Sequence, residues 1–235
     1  MIDLSKTEAL PIAVVMPTLN AAAGVASALE CVSGRVMQVI VVDGGSSDAT
    51  QAIAAAAGAS LVETERGRGL QLRAGGEAAL RLAECAWLLF LHADTRLPPD
   101  WVEAVQRHMN QPEAEGKAAA FRLSLDDTNP AARRIERLAD WRCRRLGLPY
   151  GDQGLLIHRE LYRNVGGFKA MPLMEDVDFV RRIGRKRLML LEAEAITSAE
   201  RYRRDGYWMR PLRNLTLIGL YFLGVSPQHL VRWYG

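Results

Sequence analysis

The stretch that most constrains the fold is Val39-Ile40-Val41-Val42-Asp43-Gly44-Gly45-Ser46-Ser47-Asp48-Ala49-Thr50. Four consecutive β-branched residues without alternation are the pattern of a strand covered on both faces, as in a parallel sheet. Asp43 then falls at the carboxyl end of that strand, the edge at which open α/β sheets bind ligands. Gly44 and Gly45 allow a tight turn and close backbone approach. Ser46, Ser47 or Asp48 can cap the following helix. A plain strand–turn–helix with a capping acid accounts for these residues equally well, so the rest of the chain must decide.

The flanking sequence repeats the theme. Ile12–Met16 reads as a first strand ended by Pro17-Thr18-Leu19-Asn20, with a helix from Ala21 to Val32. Val36–Val42 is the second strand, followed by a helix over Thr50–Ala57. A third strand spans Ala59–Thr64, then a loop, Glu65-Arg66-Gly67-Arg68-Gly69, and a helix over Leu70–Cys85. Trp87–Leu91 is a fully apolar strand ending at His92-Ala93-Asp94. Pro98-Pro99 opens a helix with Trp101, Val102, Val105 and Met109 as its buried stripe. Strict alternation of strand and helix predicts a mostly parallel, right-handed α/β sheet. No Gly-x-Gly-x-x-Gly follows the first strand, which disfavours an ordinary dinucleotide-binding dehydrogenase.

Beyond residue 110 the pattern is mixed. Ala118–Leu125 reads as a strand, antiparallel by one reading, and Asn129–Leu146 as a basic helix. Gly151–His158 reads as a short strand, Glu175–Ile183 as a helix and Arg187–Leu191 as a strand. Leu212–Ser226, bounded by Pro211 and Pro227, is apolar with Arg213 its one charge. As a helix it would span roughly 22 Å, short of the ~30 Å hydrocarbon core of a bilayer. It is either docked on the domain, buried between two copies, or an interfacial helix aided by Arg201, Arg203, Arg204 and Arg210. The expected division is a domain over 1–205 and a C-terminal helical segment over 206–235.

At 49% hydrophobic and 24% charged residues the chain is globular in composition. Its net charge of +3 hides an asymmetry: residues 1–117 carry nine Lys/Arg against fourteen Asp/Glu, and 118–235 carry twenty-one against thirteen. A basic second half suits an anionic partner, such as a diphosphate or a phospholipid surface. No run of aromatics interleaved with basic residues points to nucleic acid in particular, so no nucleic-acid partner is expected. Cys31, Cys85 and Cys143 are odd in number and lack metal spacing, which suits reduced thiols and a cytoplasmic setting. Asp3, Lys6 and Glu8 are unlike a signal peptide.

Four loops fall at expected carboxyl ends of strands, and they hold Thr18/Asn20, Asp43, Arg66/Arg68 and His92/Asp94. Unpaired acids and arginines serve no purpose in a core. Arginine recognises phosphate through a planar fork. A carboxylate such as Asp43 can accept from a base N–H or ribose hydroxyl, and one such as Asp94 can hold a divalent cation that in turn holds a diphosphate. Together these describe a site for a nucleotide diphosphate and its metal. Glu175, Asp176 and Asp178 on their own suit a helix N-terminus.

At this point the chain resembles a known group. Pro17-Thr18-Leu19-Asn20, Val42-Asp43-Gly44-Gly45-Ser46-Ser47-Asp48-Ala49-Thr50, Leu91-His92-Ala93-Asp94-Thr95 and Met174-Glu175-Asp176 resemble, in order, the motifs of family 2 glycosyltransferases. Arg66-Gly67-Arg68-Gly69-Leu70-Gln71, Pro149-Tyr150-Gly151-Asp152-Gln153-Gly154 and Leu223-Gly224-Val225-Ser226-Pro227 are similar to a bacterial subgroup known as radical-SAM/selenodomain-associated or arsenosugar-biosynthesis glycosyltransferases. The family resemblance covers about residues 10–200. It implies a GT-A fold, a nucleotide-sugar donor, Mg²⁺ or Mn²⁺, and inversion at the anomeric carbon.

The resemblance also implies roles. Asp43 would contact the base, usually uracil, and Pro17, Thr18, Asn20, Arg66 and Arg68 would surround base, ribose or phosphate. Asp94 matches the last acid of the Asp-x-Asp metal motif, whose first acid is here His92. An imidazole can ligate a metal but brings no negative charge. Glu175-Asp176 matches the acidic pair whose Asp usually serves as general base toward an acceptor hydroxyl. Asp152 and Gln153 would line the acceptor side or shape a turn. Two alternatives stand beside this reading. One is a nucleotidyltransferase, although Pro17–Gly24 lacks the expected basic residues. The other is a non-catalytic nucleotide-sugar or membrane-surface binding module.

Overall fold

The computed structural model describes residues 9–234; the N-terminal stretch with Asp3, Lys6 and Glu8 lies outside the described residues. The chain runs β1 (Leu10–Thr18), α1 (Ala22–Glu30), β2 (Val36–Asp43), α2 (Thr50–Ala56), β3 (Ser60–Glu63), α3 (Arg68–Leu80), β4 (Trp87–Phe90), β5 (Thr95–Arg96), α4 (Trp101–Met109) and β6 (Ala118–Leu125). It continues through α5 (Pro130–Leu146), β7 (Leu155–His158), α6 (Arg159–Asn164), α7 (Glu175–Ile183), β8 (Leu188–Thr197), α8 (Glu200–Asp205), α9 (Met209–Phe222) and α10 (Pro227–Tyr234). The strands form one sheet in the order β3-β2-β1-β4-β7-β6-β8-β5. β1, β2, β3 and β4 are mutually parallel, and β7 and β5 are the antiparallel members.

The expected two-faced burial is realised strand by strand. In β2, Val39 and Val41 join one core with α1 and α4, and Ile40 and Val42 join a second core with α3 and α7. Ile12, Val14 and Met16 of β1 divide from Ala13 and Val15 in the same way. With both faces of these strands covered, the open edge for chemistry is the row of carboxyl ends at Thr18, Asp43 and Phe90.

Several expectations shift. The helix expected over Leu70–Cys85 begins at Arg68 and stops at Leu80. The Arg159 guanidinium donates to the carbonyls of Leu80, Leu82, Ala83 and Cys85, which satisfies a bend in place of further helix. Gly151–Gln153 is a 3₁₀ turn, and only Leu155–His158 is strand. β6 pairs antiparallel with β7 and parallel with β8. The strand expected over Arg187–Leu191 runs on to Thr197, with Leu191, Ala193 and Ala195 inward and Glu192 and Glu194 outward. Leu212–Ser226 is not one helix: α9 ends at Phe222, Gly224 turns at φ +91°, and Pro227 opens α10. No helix among the described residues is long and apolar enough to cross a membrane.

The C-terminal helices lie against the functional edge. Leu217 of α9 and Leu230 of α10 bury themselves against Leu173, Met174 and Val177, at the start of α7. On the other side, α3 presses closely on β1 and β2. A Cβ on Gly75 would come within 2.3 Å of Val15 Cγ1 and 2.8 Å of Val42 Cγ2. Gly75→Ala is therefore expected to cost about 1–3 kcal/mol, read as a lower urea midpoint. Gly116→Ala, where nothing lies within 4 Å of the added carbon, should leave the midpoint nearly unchanged.

Candidate active site

The rim begins with Asp43, which has no exposed surface. Its carboxylate accepts from Thr18 Oγ1 (2.9 Å), Ser46 Oγ (2.6 Å), Ser46 N (2.7 Å), Gly45 N (3.1 Å) and Gln51 Nε2 (2.8 Å). Burial alone would raise the carboxyl pKa. The bonds from Gln51, Ser46 and Thr18 outweigh it and bring the value down to about 2. Asn20 takes a left-handed φ of +49°. Its Oδ1 accepts from Ser47 N (2.9 Å), and its own N–H donates to Ser46 Oγ (2.8 Å). Asp48 ties the same two loops by accepting from Ala22 N. Pro17 faces Val42 across the β1–β2 ladder. Beneath them Gln71, buried on α3, donates to the carbonyls of Thr18 (2.6 Å) and Val42 (2.8 Å) and holds the two strand ends together.

The acids from the second half meet this rim at β4. Gly24 of α1 makes the approach possible: a Cβ there would come within 2.9 Å of the Ala93 carbonyl. Asp94 projects into solvent while His92 is half-buried. His92 is pushed down to about 4, chiefly by burial and by the nearby Arg68 charge, so its imidazole is neutral near pH 7. Asp176, in the first turn of α7, accepts from Gly151 N at 3.0 Å. The Gly151 Cα carries no side chain, and a Cβ there would stand 2.7 Å from His92 Nε2 and 3.6 Å from Asp176 Oδ2. Gly151 therefore packs directly against both the His92 ring and the Asp176 carboxylate.

Glu175 is buried and ion-paired to Arg68, which joins α7 to α3. Burial and Asp176 raise its pKa against the pull of Arg68. Its Oε2 has no partner. Gly69 brings α3 this close, since a Cβ would meet the Lys169 and Met171 carbonyls at 2.7 and 2.5 Å. Asp152 belongs to the same group. Burial pushes its pKa up, Arg142 pulls it down, and Asp176 and Asp94 add repulsion. Its Oδ1 is buried without a partner.

Two cavities meet at Asp176. One is lined by His92, Tyr150, Gly151, Glu175 and Asp176 over the Phe90, Phe168 and Phe179 rings. The other lies between α7 and α9 and is lined by Arg68, Tyr150, Leu173, Asp176, Asn214 and Leu217 among others. The structure thus gathers Arg68, His92, Asp94, Asp152, Glu175 and Asp176 into one cleft. Thr18, Asn20 and Asp43 form the adjoining rim, and Arg66 is exposed on the loop before α3. Gln153 is fully buried and shapes the turn: Oε1 accepts from Arg142 (2.8 Å) and Tyr150 N (3.3 Å), and Nε2 donates to Phe121 O (2.9 Å).

Three further residues gain a place in the site only here: Gln71, Tyr150 and Asn214. Gln71 and Tyr150 stood in the sequence only as members of the Arg66–Gln71 and Pro149–Gly154 motifs, and Asn214 could have been found as the lone amide in an apolar run. Tyr150 is stacked under the Arg142 guanidinium at 3.2 Å.

The glycosyl transferase family 2 model matches residues 13–173, well over half of the chain. The chain belongs to that family. It is a glycosyltransferase, and this assignment replaces the nucleotidyltransferase and non-catalytic alternatives. No curated protein sequence matches it. Its fold is similar to that of glucosyl-3-phosphoglycerate synthase from Mycobacterium tuberculosis in complex with Mn²⁺, UDP and glucosyl-3-phosphoglycerate, at 22% identity and TM-score 0.50 over 80% of this chain and 70% of that one. It is also similar to Staphylococcus aureus TarS 1–349, at 13% identity and TM-score 0.59 over 95% and 70%. Both are GT-A architectures like the mostly parallel sheet seen here.

Among the described residues no three His, Cys, Asp or Glu side chains group closely enough to enclose an ion. Mg²⁺ seldom needs such a cage, since it binds one or two carboxylates together with substrate phosphates. An exposed Asp94 carboxylate beside a neutral His92 imidazole fits a cation that arrives with a diphosphate.

The Asp43 network carries a pH signature. A carboxyl held at about 2 when folded, against an ordinary value of about 3.9 when unfolded, adds stability that is complete above about pH 4 and lost as pH falls through 2. Asp43→Asn is expected to lower stability at neutral pH by about 2 kcal/mol and to flatten the acid limb between those values. Urea midpoints across the pH range measure both.

Proposed function

We propose that this glycosyltransferase moves a sugar, with inversion, from a nucleotide diphosphate donor, UDP by preference, to an acceptor hydroxyl. The observation that carries the reading is the position of Asp176. It stands where the two cavities meet, one oxygen held by the Gly151 amide. With the donor along the rim of Thr18, Asn20, Asp43 and Asp94 and the acceptor in the cavity beside α9, this one carboxylate would stand opposite the leaving diphosphate, which is the arrangement inversion needs. Support for the donor class comes from the similar fold of the M. tuberculosis enzyme, which holds UDP and Mn²⁺.

In this reading Thr18, Asn20, Asp43 and Pro17 hold the base and ribose, and Arg66 and Arg68 face the phosphates. Asp43 reaches a base N–H by exchanging one of its present donors, and the Ser46 hydroxyl is the one free to rotate. Asp94 with His92 would hold Mg²⁺ or Mn²⁺, which supplies charge neutralisation at the diphosphate. Glu175 positions Arg68 through the buried ion pair. Asp176 takes the proton of the acceptor hydroxyl as its oxygen bonds to the anomeric carbon and the bond from that carbon to the diphosphate breaks. The cavity beside α9 receives the acceptor. Its walls set Leu173, Val177, Leu217 and Ile218 beside the polar groups of Arg68, Tyr150 and Asp176, and the buried Asn214 Oδ1 there has no partner. An acceptor with an apolar body and a second hydrogen-bond donor satisfies both features, and in this reading Asp152 would stand on the acceptor side. The Arg66–Gln71, Pro149–Gly154 and Leu223–Pro227 motifs support membership of the radical-SAM/selenodomain-associated subgroup, and three unpaired cysteines suit a cytoplasmic setting.

Asp176→Asn keeps the shape of the site and removes the base. Transfer is expected to fall by about a hundredfold to ten-thousandfold, while UDP-glucose with Mn²⁺ still raises the melting temperature as it does for the parent chain. Undiminished turnover would exclude Asp176 as base. An unchanged melting temperature in the parent chain with every nucleotide sugar would exclude the donor class.

A further inference from the structure

The C-terminal helices bury one face and leave a large apolar face open. On α9, Met209 (66% exposed), Leu212 (59%), Leu215 (62%), Phe222 (46%) and, just beyond, Leu223 (82%) follow at helical spacing on the side away from Leu217. Trp208 (71%) begins this stripe and Trp233 (65%) of α10 lies beyond it. Trp208 stacks against Arg134 of α5 at 4.7 Å, so the stripe adjoins α5, where Leu138 and Trp141 are also exposed. Of the five tryptophans, Trp87 and Trp101 are buried, and the other three all stand on these helices. Single exposed apolar residues need no explanation, but a continuous face of this kind marks a binding surface.

The charges around the face choose the occupant. Residues 200–235 carry six arginines against Glu200 and Asp205, of which Arg210 is buried against Asp205, and α5 carries six against Glu136 and Asp140, of which Arg142 turns into the cleft, so the exposed remainder is net basic. Arg134 and Arg181 cover the rings of Trp208 and Phe222. A second copy meeting this face about a two-fold axis would set arginine against arginine, which opposes self-association. An anionic lipid surface accepts all the features at once. Leucine and phenylalanine enter the acyl boundary, tryptophan prefers the headgroup level, and each arginine near the surface gains from the negative potential. α9 is also too short to cross the hydrocarbon and suits lying in its plane.

We propose that α9, with α5 and α10 beside it, docks this enzyme peripherally on an anionic phospholipid bilayer. The interaction is independent of the base assignment, because the residues that carry it face away from Asp176.

The test is co-sedimentation with vesicles of phosphatidylcholine alone and of equal parts phosphatidylcholine and phosphatidylglycerol. The parent chain should pellet with the anionic vesicles, remain in solution with the neutral ones, and be released by high salt. The double variant Leu212→Glu/Leu215→Glu, checked for an unchanged melting temperature, should partition at least about tenfold less. A reading on the parent chain needs no variant: brominated phosphatidylcholine placed in the anionic vesicles should quench the exposed tryptophans. The proposal is overturned if the parent chain ignores the anionic vesicles, if the variant binds them equally, or if quenching is absent. It is also overturned if the parent chain is a dimer at micromolar concentration and the double variant a monomer, because the face would then be a self-interface.

Discussion

The cleft depends on the ion pair between Arg68 and Glu175. Glu175 is 1% exposed, and a carboxylate taken so far out of water must be compensated. Its partner comes from the first turn of α3, more than a hundred residues earlier. The pair therefore locks the helix that packs on β1 and β2 to the helix that carries Asp176. Removing one partner would strand a buried charge, a loss of several kcal/mol by comparison with other buried pairs, about 3–5 in magnitude. The low-dielectric surroundings that make the pair costly also hold His92 neutral and push the Asp152 carboxyl up.

Around that pair the backbone is shaped for proximity. Gly24, Gly69 and Gly151 each stand where a Cβ would strike a neighbour within 3 Å: the Ala93 carbonyl, the 169–171 segment and the His92 ring. Met174, immediately before the acidic pair, takes a left-handed φ of +66°, a strained state for a side chain of this kind, costing on the order of 1 kcal/mol. Its side chain is buried against Leu217 and Leu230. The C-terminal helices thus support the Glu175-Asp176 turn from behind while they wall the second cavity from the side.

The same helices show how one element serves two surfaces. Helical periodicity sends Leu217, Asn214 and Ile218 toward the cleft and Leu212 and Leu215 outward. The first set lines the second cavity, where the Asn214 oxygen is orphaned. The second set makes the exposed apolar stripe.

Much of this was legible in the sequence. Runs such as Val39–Val42 and Trp87–Leu91 can only be buried strands, and their carboxyl ends name Thr18, Asp43 and His92-Ala93-Asp94 without further information. Hydrophobic burial acts on every residue in a run, so its pattern survives without knowledge of the partners. What only the tertiary structure decided were pairings between distant single residues. Arg68 finds Glu175, Gln71 finds the strand ends, Gly151 makes room for His92, Gln153 turns inward, and Arg159 ends α3 early. Each depends on where one polar group meets another across the fold, and hydrogen bonds and ion pairs of that range leave no periodic trace in the chain. Residues 212–226 announced that they were apolar, but which side of α9 would meet the cleft was fixed only when Leu217 and Leu230 found the start of α7.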